Sequence, residues 1–138
     1  MRTEILAKEL KNRAINPTAM RLLILDKLMS SEVALSLADL EIEMDQADRV
    51  TIYRTLKRFE ENKLIHSIED GTGSIKYALC ESHCKCTPEF THAHFHCTIC
   101  EQTYCLRTVH VPEIPLPKNF QANQASFILK GFCDQCKV

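Results

Sequence analysis

The sequence predicts an α+β chain: helices and a short hairpin in its first half, then a small α/β unit stapled through cysteine. Three observations carry this expectation. Apolar residues recur at helical spacing up to residue 62, two short alternating runs follow between residues 64 and 79, and all eight cysteines lie at or beyond Cys80. The chain has 138 residues, 45% of them apolar and 25% charged, which suits one ordinary globular domain or two small ones. The cysteine asymmetry places the expected boundary between 1–80 and 81–138.

In the first half, Thr3 is placed to cap a helix reaching about Arg13, with Glu4 near its positive end. Ile5, Leu6 and Leu10 form its apolar stripe. Asn16-Pro17 interrupts it, because proline disfavours helix in the residue before it. Thr18 opens a second helix to about Met29, with Met20, Leu23, Ile24 and Leu28 at helical spacing. Ser36 caps a third, with Asp39 as capping-box partner and Leu37, Leu40 and Met44 facing inward. Asp48 caps a fourth, from Arg49 to about Asn62. Its Ile52, Leu56 and Phe59 lie within roughly 60° on a helical wheel. Thr51, Arg54, Lys57 and Arg58 occupy the other side, with Tyr53 at the flank.

Residues 64–69 and 74–79 alternate partly like strands, and Asp70-Gly71-Thr72-Gly73 between them is a turn. Helices followed by a short hairpin describe a winged helix-turn-helix. The net charge is −1, so no global positive field attracts nucleic acid. Contact with DNA is then local. Arg49, Arg54, Lys57, Arg58 and Lys63 face only Glu60 and Glu61 in that stretch, and such a helix face fits a major groove. A charged helix face is more often merely solvated; the hairpin behind it is what favours DNA.

No apolar run approaches the roughly 20 residues of a membrane span. No apolar stretch of signal-peptide type follows Met1-Arg2-Thr3-Glu4, so a cytoplasmic location is expected. Disulfides are uncommon there, and clustered thiols point to metal or redox chemistry. No Gly-rich phosphate loop or Ser-His-Asp arrangement is visible, so an enzyme is not expected.

Cys97-Thr-Ile-Cys100 and Cys133-Asp-Gln-Cys136 are two knuckles. Two intervening residues let both thiolates of a pair point at one ion, and four thiolates complete a tetrahedral zinc shell at about 2.3 Å per bond. The alternative is a redox-active or simply buried pair. Between Cys80 and Cys97, His92, His94 and His96 alternate with Ala93, Phe95 and Cys97. On a strand the histidines share one face and Cys97 lies on the other, so one segment can serve two metal sites. His66 and Cys80 at the hairpin are candidates to complete the second site, and Cys105, His83, Cys84 and Cys86 compete with them. Thiolate with imidazole favours zinc, whereas iron more usually brings a carboxylate. Cys105 can equally be a buried strand cysteine. His83, Cys84 and Cys86 are too close together to share one rigid site, leaving a looser third site or a redox pair. His110 to Asn119 contains Pro112, Pro115 and Pro117 and reads as a connector, with His110 exposed in it. Ala122 to Leu129 reads as a strand ending at Gly131.

At this point the chain resembles the ferric uptake regulator family over nearly its whole length. The likeness lies in Thr18-Ala-Met-Arg21, Thr51-Ile-Tyr-Arg-Thr-Leu56, Lys63-Leu-Ile65, Lys76-Tyr77, the run from His92 and His94 to Cys97 and Cys100, and Gly131-Phe-Cys133 leading to Cys136. The resemblance implies a homodimeric metal-dependent repressor on double-stranded operator DNA, with an N-terminal winged helix and a C-terminal α/β dimerisation domain. It implies a structural zinc on Cys97, Cys100, Cys133 and Cys136, and a regulatory metal, zinc or iron, at the junction. Thr51, Tyr53, Arg54, Arg58 and Arg21 are the expected DNA contacts.

The resemblance also separates branches. Iron and peroxide sensors place a histidine before the third helix and an acidic residue at the end of the wing; here those positions hold Ala34 and Ala78. Zinc regulators place ligands where this chain has His66 and Cys80. His92 and His94 complete that set, some zinc regulators add a ligand at the position of Cys105, and His96 is a further candidate. Zinc uptake control is therefore expected. An iron, haem or peroxide sensor on the same scaffold is the alternative, and a thiol-redox or zinc-storage protein the more distant one. The chain departs from the family at Glu101, where glycine is usual, at Ala93 and Ala125, where a third site's ligands are absent, and in the His83-Cys84-Lys85-Cys86 insertion.

Overall fold

The computed structural model describes residues 2–44, 47–79, 92–110, 114–123 and 125–136, with only the backbone of 92 and 107–110. Cys80, His83, Cys84 and Cys86 lie outside the described residues. The helices are α1 (Arg2–Asn12), α2 (Ala19–Ser30), α3 (Leu37–Glu43) and α4 (Arg49–Glu61). The strands are β1 (Leu35–Ser36), β2 (Ile65–Glu69), β3 (Ile75–Leu79), β4 (His92–Cys97), β5 (Thr103–His110) and β6 (Phe127–Gly131), with a 3-10 turn at Asp134–Cys136.

The helix boundaries follow from local chemistry. The Thr18 hydroxyl accepts from the Arg21 N–H at α2, and the Asp48 carboxylate accepts from the Thr51 N–H at α4. At α3 the capping box closes both ways: the Asp39 N–H donates to Ser36 Oγ, and the Ser36 N–H to Asp39 Oδ2. Two helices end with a residue in the left-handed region. After α1, Ala14 turns at φ 59°, and the Ile15 and Ala14 N–H groups donate to Leu10 and Lys11. After α4, Lys63 turns at φ 64°, and the Leu64 and Lys63 N–H groups donate to Phe59 and Glu60. Both are Schellman closures, each with its apolar pair buried: Ile15 on Leu10 and Leu64 on Phe59.

The main core joins Leu6, Leu10, Ile24, Leu25, Leu28, Leu40, Ile52, Leu56 and Phe59 with Leu64, Ile65 and Tyr77 from the hairpin. β2 and β3 pair antiparallel, and β1 adds a short third strand in the order β1-β3-β2. This is a winged helix-turn-helix, with α4 as its last helix and the β2–β3 hairpin as its wing. In the second sheet the order is β5-β4-β6, with β4 antiparallel to β5 and parallel to β6. Among the described residues every α-helix lies in the first half, and no helix is long and apolar enough to cross a membrane.

Several sequence expectations shift. α1 begins at Arg2, two residues before the expected start at Glu4, so Thr3 lies inside its first turn instead of capping it; Arg2 reaches across to Asp26 and Ser30 on α2. Ile5 and Leu23 are exposed. α1 turns only the Leu6 and Leu10 row to the core, and α2 is apolar nearly all round, so tertiary contact selects Ile24, Leu25 and Leu28. His110 closes β5, opposite His92, and is not part of the connector. β6 starts at Phe127, not Ala122, because its parallel partner begins only at His92 and Ala93. β1 has no counterpart in the sequence reading.

Candidate metal centres and the exposed face of α4

Each Cys-x-x-Cys pair is a tight turn. The first follows the end of β4, and the second is the 3-10 turn after β6. Pairing of β4 with β6 sets Cys97 opposite Gly131 and so brings the two turns together. The sulfurs of Cys97, Cys100, Cys133 and Cys136 lie within 4.8 Å of one another. Thiolates bound at about 2.3 Å around a tetrahedral ion sit roughly 3.8 Å apart, and Cys100 and Cys133 Sγ are separated by 3.8 Å. The donor set therefore fits a structural zinc.

The environment of Cys97 favours thiolate. The backbone N–H of Cys100 is the main influence that draws its thiol down to about 6; burial opposes it, and the N–H of Cys133 assists. Both N–H groups donate to Cys97 Sγ at 3.4 Å. Burial pushes Cys136 the other way, to about 12, reinforced by the neighbouring thiols. Four adjacent thiols resist joint ionisation, and a divalent cation removes that resistance. Glu101, just after the first turn, adopts φ 63°, the left-handed conformation glycine enters freely.

The second cluster spans the two sheets. His94 on β4 faces Cys105 on β5 in register, and His66 comes from β2 of the wing. The ligand atoms of His66, His94 and Cys105 lie within 4.8 Å of one another. His66 Nε2 and His94 Nε2 are 3.3 Å apart, and Cys105 Sγ is 3.8 Å from His66 Nε2. Imidazole nitrogens on a tetrahedral zinc are spaced by roughly 3.4 Å. Of the sequence candidates, His66 and His94 therefore converge, and Cys105 joins them. Cys80 and the side chain of His92 are not described. Ala34 and Ala78 are buried against the same junction, packed with Ile68 and touched by Cys105 and Ile128, and bring no oxygen donor to it.

His96 points elsewhere. Its Nδ1 lies 3.0 Å from Thr103 Oγ1 and 3.4 Å from an oxygen of Asp70, whose side chain is fully buried. The Asp70 carboxylate accepts from Thr103 Oγ1 at 2.7 Å, Thr72 Oγ1 at 2.6 Å and Lys76 Nζ at 3.1 Å. Burial works to raise the Asp70 carboxyl, but the hydrogen bonds from Thr72, Thr103 and Lys76 together hold it well below the usual carboxylate range. Sequence reading missed this group. Asp70 looked like an ordinary turn residue, and Thr103 lies 33 residues away with no motif to announce it.

On α4, Ile52, Leu56 and Phe59 are fully buried, and Thr51, Tyr53, Arg54, Lys57 and Arg58 are exposed. Thr51 and Arg54 share a groove of about 280 Å³ with Thr18, Met20 and Arg21 of the α2 start. Lys57 Nζ sits 5.9 Å from the Tyr53 ring centre. The face is cationic and hydroxylated, with one aromatic edge.

Thiolate and imidazole clusters joined to a winged helix define a class: metal-responsive, DNA-binding transcription regulators, which are not enzymes. The family model for the ferric uptake regulator family matches residues 12–130, and the chain belongs to that family. Its members are DNA-binding dimers. A zinc uptake regulator solved with zinc and DNA is 24% identical, with a TM-score of 0.67 over 99% of this chain and 95% of that one. The Vibrio cholerae ferric uptake regulator is 18% identical, with a TM-score of 0.62 over 92% and 98%. The Helicobacter pylori ferric uptake regulator, described with three functional metal-binding sites, is 14% identical, with a TM-score of 0.59 over 98% and 91%. These likenesses define the fold. No individual curated protein matches the chain.

Proposed function

We propose that this chain is a zinc-responsive repressor of metal-uptake genes, acting as a homodimer on operator DNA. Residues 1–80 form the DNA-reading unit and 81–138 the dimerising unit. The observation that carries the zinc reading is the convergence of His66, His94 and Cys105 from two sheets. Two imidazoles and a thiol are borderline-to-soft donors, the set that zinc prefers over harder ions. Burial of Ala34 and Ala78 at the junction supports the same choice, since neither can add the oxygen ligand an iron site more usually has.

Bound there, zinc would supply a fixed tetrahedral node between wing and second sheet. His66 moves with β2, and His94 and Cys105 move with β4 and β5. Bringing the three together restricts the orientation of the wing, and therefore of α4, relative to the dimerising unit. DNA then selects the orientation that fits both half-sites, and the preference is returned as tighter metal binding. Tyr53 and Arg54 contact bases or phosphates, with Thr51, Arg58 and Arg21 in support. One tetrahedral position remains beside His66, His94 and Cys105, and the family resemblance offers Cys80 or His92 for it. The four-cysteine zinc keeps the second sheet closed and takes no part in sensing.

The test is operator binding titrated against buffered free zinc and, separately, ferrous iron, with bound metal measured alongside. Tight binding driven by zinc at a lower free concentration than iron supports the reading. Binding driven by iron, haem or peroxide treatment in its place would assign the chain to another branch.

A further inference from the structure

The face of the second sheet that carries His94 and Cys105 also carries a second, metal-free contact with the wing. The strands place Thr103, His96 and Lys130 side by side in one row, two residues along from the row of Cys105, His94 and Ile128. The wing's turn sits on the Thr103 row. Thr103 Oγ1 donates to Asp70 Oδ2, and Lys76 Nζ reaches the same carboxylate. Because the Thr103 hydroxyl hydrogen is spent on Asp70, Thr103 Oγ1 accepts from His96 Nδ1, and the network has a single direction. Lys130 lies over Gly71: a Cβ there would come within 2.6 Å of Lys130 Nζ, and φ at Gly71 is +86°. Asp70 also accepts from the Thr72 N–H at 3.1 Å and so fixes the turn itself.

We propose that Asp70 and Thr103 form a metal-independent latch holding the tip of the wing on the second sheet, and that Asp70 is a positioning residue for the metal response. His66 lies near the start of β2 and Asp70 just past its end, four residues on, about 13 Å at strand spacing. Between these two points Ile68 and Ala78 pack against Cys105 and Ile128. Loss of the regulatory metal then frees the His66 end of the wing while the Asp70 end stays attached. The latch goes beyond the zinc-repressor reading, and its existence does not depend on which metal the chain senses.

Amide hydrogen exchange on the full chain tests it. Wild type is compared zinc-loaded and after mild chelation that leaves about one zinc per chain in the four-thiolate site. The Thr72 and Ser74 amides, which donate to Asp70 and Thr72 side chains at the tip, should stay protected in both states. Thr103→Val, which removes the hydroxyl and keeps the shape, should speed their exchange at least ~10-fold after chelation, and Thr103→Ser should restore protection. Loss of tip protection in chelated wild type would overturn the proposal without reference to any variant. Wild-type exchange rates in Thr103→Val would overturn it too. No DNA is present in this measurement, so failure of the latch and failure of the repressor reading are read separately.

Discussion

Asp70 is a fully buried carboxylate whose satisfaction comes from three hydroxyl or ammonium donors, one of them on the other sheet. Removing its charge leaves Lys76 nearly buried beside a neutral group. Asp70→Asn should therefore lower stability by about 3 kcal/mol in urea unfolding at pH 7. The sign with pH follows from its depressed folded pKa. The stabilisation is complete above the unfolded value of about 3.9 and is lost as pH falls through the lower folded one. The gap between wild type and variant should thus narrow only below about pH 4. Glu101 is the opposite kind of residue, since its φ of 63° is tolerated and not rewarded. A non-glycine residue there costs about 1–2 kcal/mol, and glycine recovers that less the extra freedom of its unfolded chain. Glu101→Gly should raise the melting temperature of the zinc-loaded protein by a few degrees. Glu101 could be singled out from sequence, as a departure from the family's glycine. The Asp70 network could not, because its partners are joined only by the docking of two sheets.

At the scale of elements, α3 and α4 were legible almost to the residue. Ser36 with Asp39, and Asp48 ahead of Ile52, Leu56 and Phe59, are local signals that no distant contact contradicts. The alternation along β4 was legible for the same reason: His94 and His96 face the wing, and Cys97 lies on the other side with the other three thiols. What stayed hidden depends on partners remote in sequence. β1 exists because Leu35 and Ser36 lie beside Tyr77 and Lys76. Cys105 was a candidate beside several others, and it is the register of β5 with β4 that sets it next to His94. The exposed face of α4 carries its own expectation. Arg54→Ala should leave the core, and so the melting temperature, unchanged while weakening operator binding roughly 10-fold. If Arg54 meets a phosphate, the salt dependence of binding should fall by about one ion; if it meets a base, specificity should relax at one position.

In the whole molecule, the two sheets meet through the His66, His94 and Cys105 cluster, the Asp70–Thr103 hydrogen bond and the apolar contact of Ala34, Ile68 and Ala78 with Cys105 and Ile128. The Ala34 N–H also donates to the Thr103 carbonyl at 2.8 Å, so the α2–β1 link is tied to β5 as well. A joint of this kind has a weak point where a ligand set must be filled. Zinc needs deprotonated thiol and neutral imidazole, so acid should loosen the joint before it unfolds either half. The central claim is that His66 couples the wing to the metal-bearing sheet. The measurement that bears on it most directly is operator affinity as a function of buffered free zinc, for wild type and His66→Ala, each retaining its four-thiolate zinc. Wild type should gain roughly 5–150-fold in affinity as zinc rises, and His66→Ala should gain little over the same range. An unchanged zinc response in His66→Ala would contradict the account.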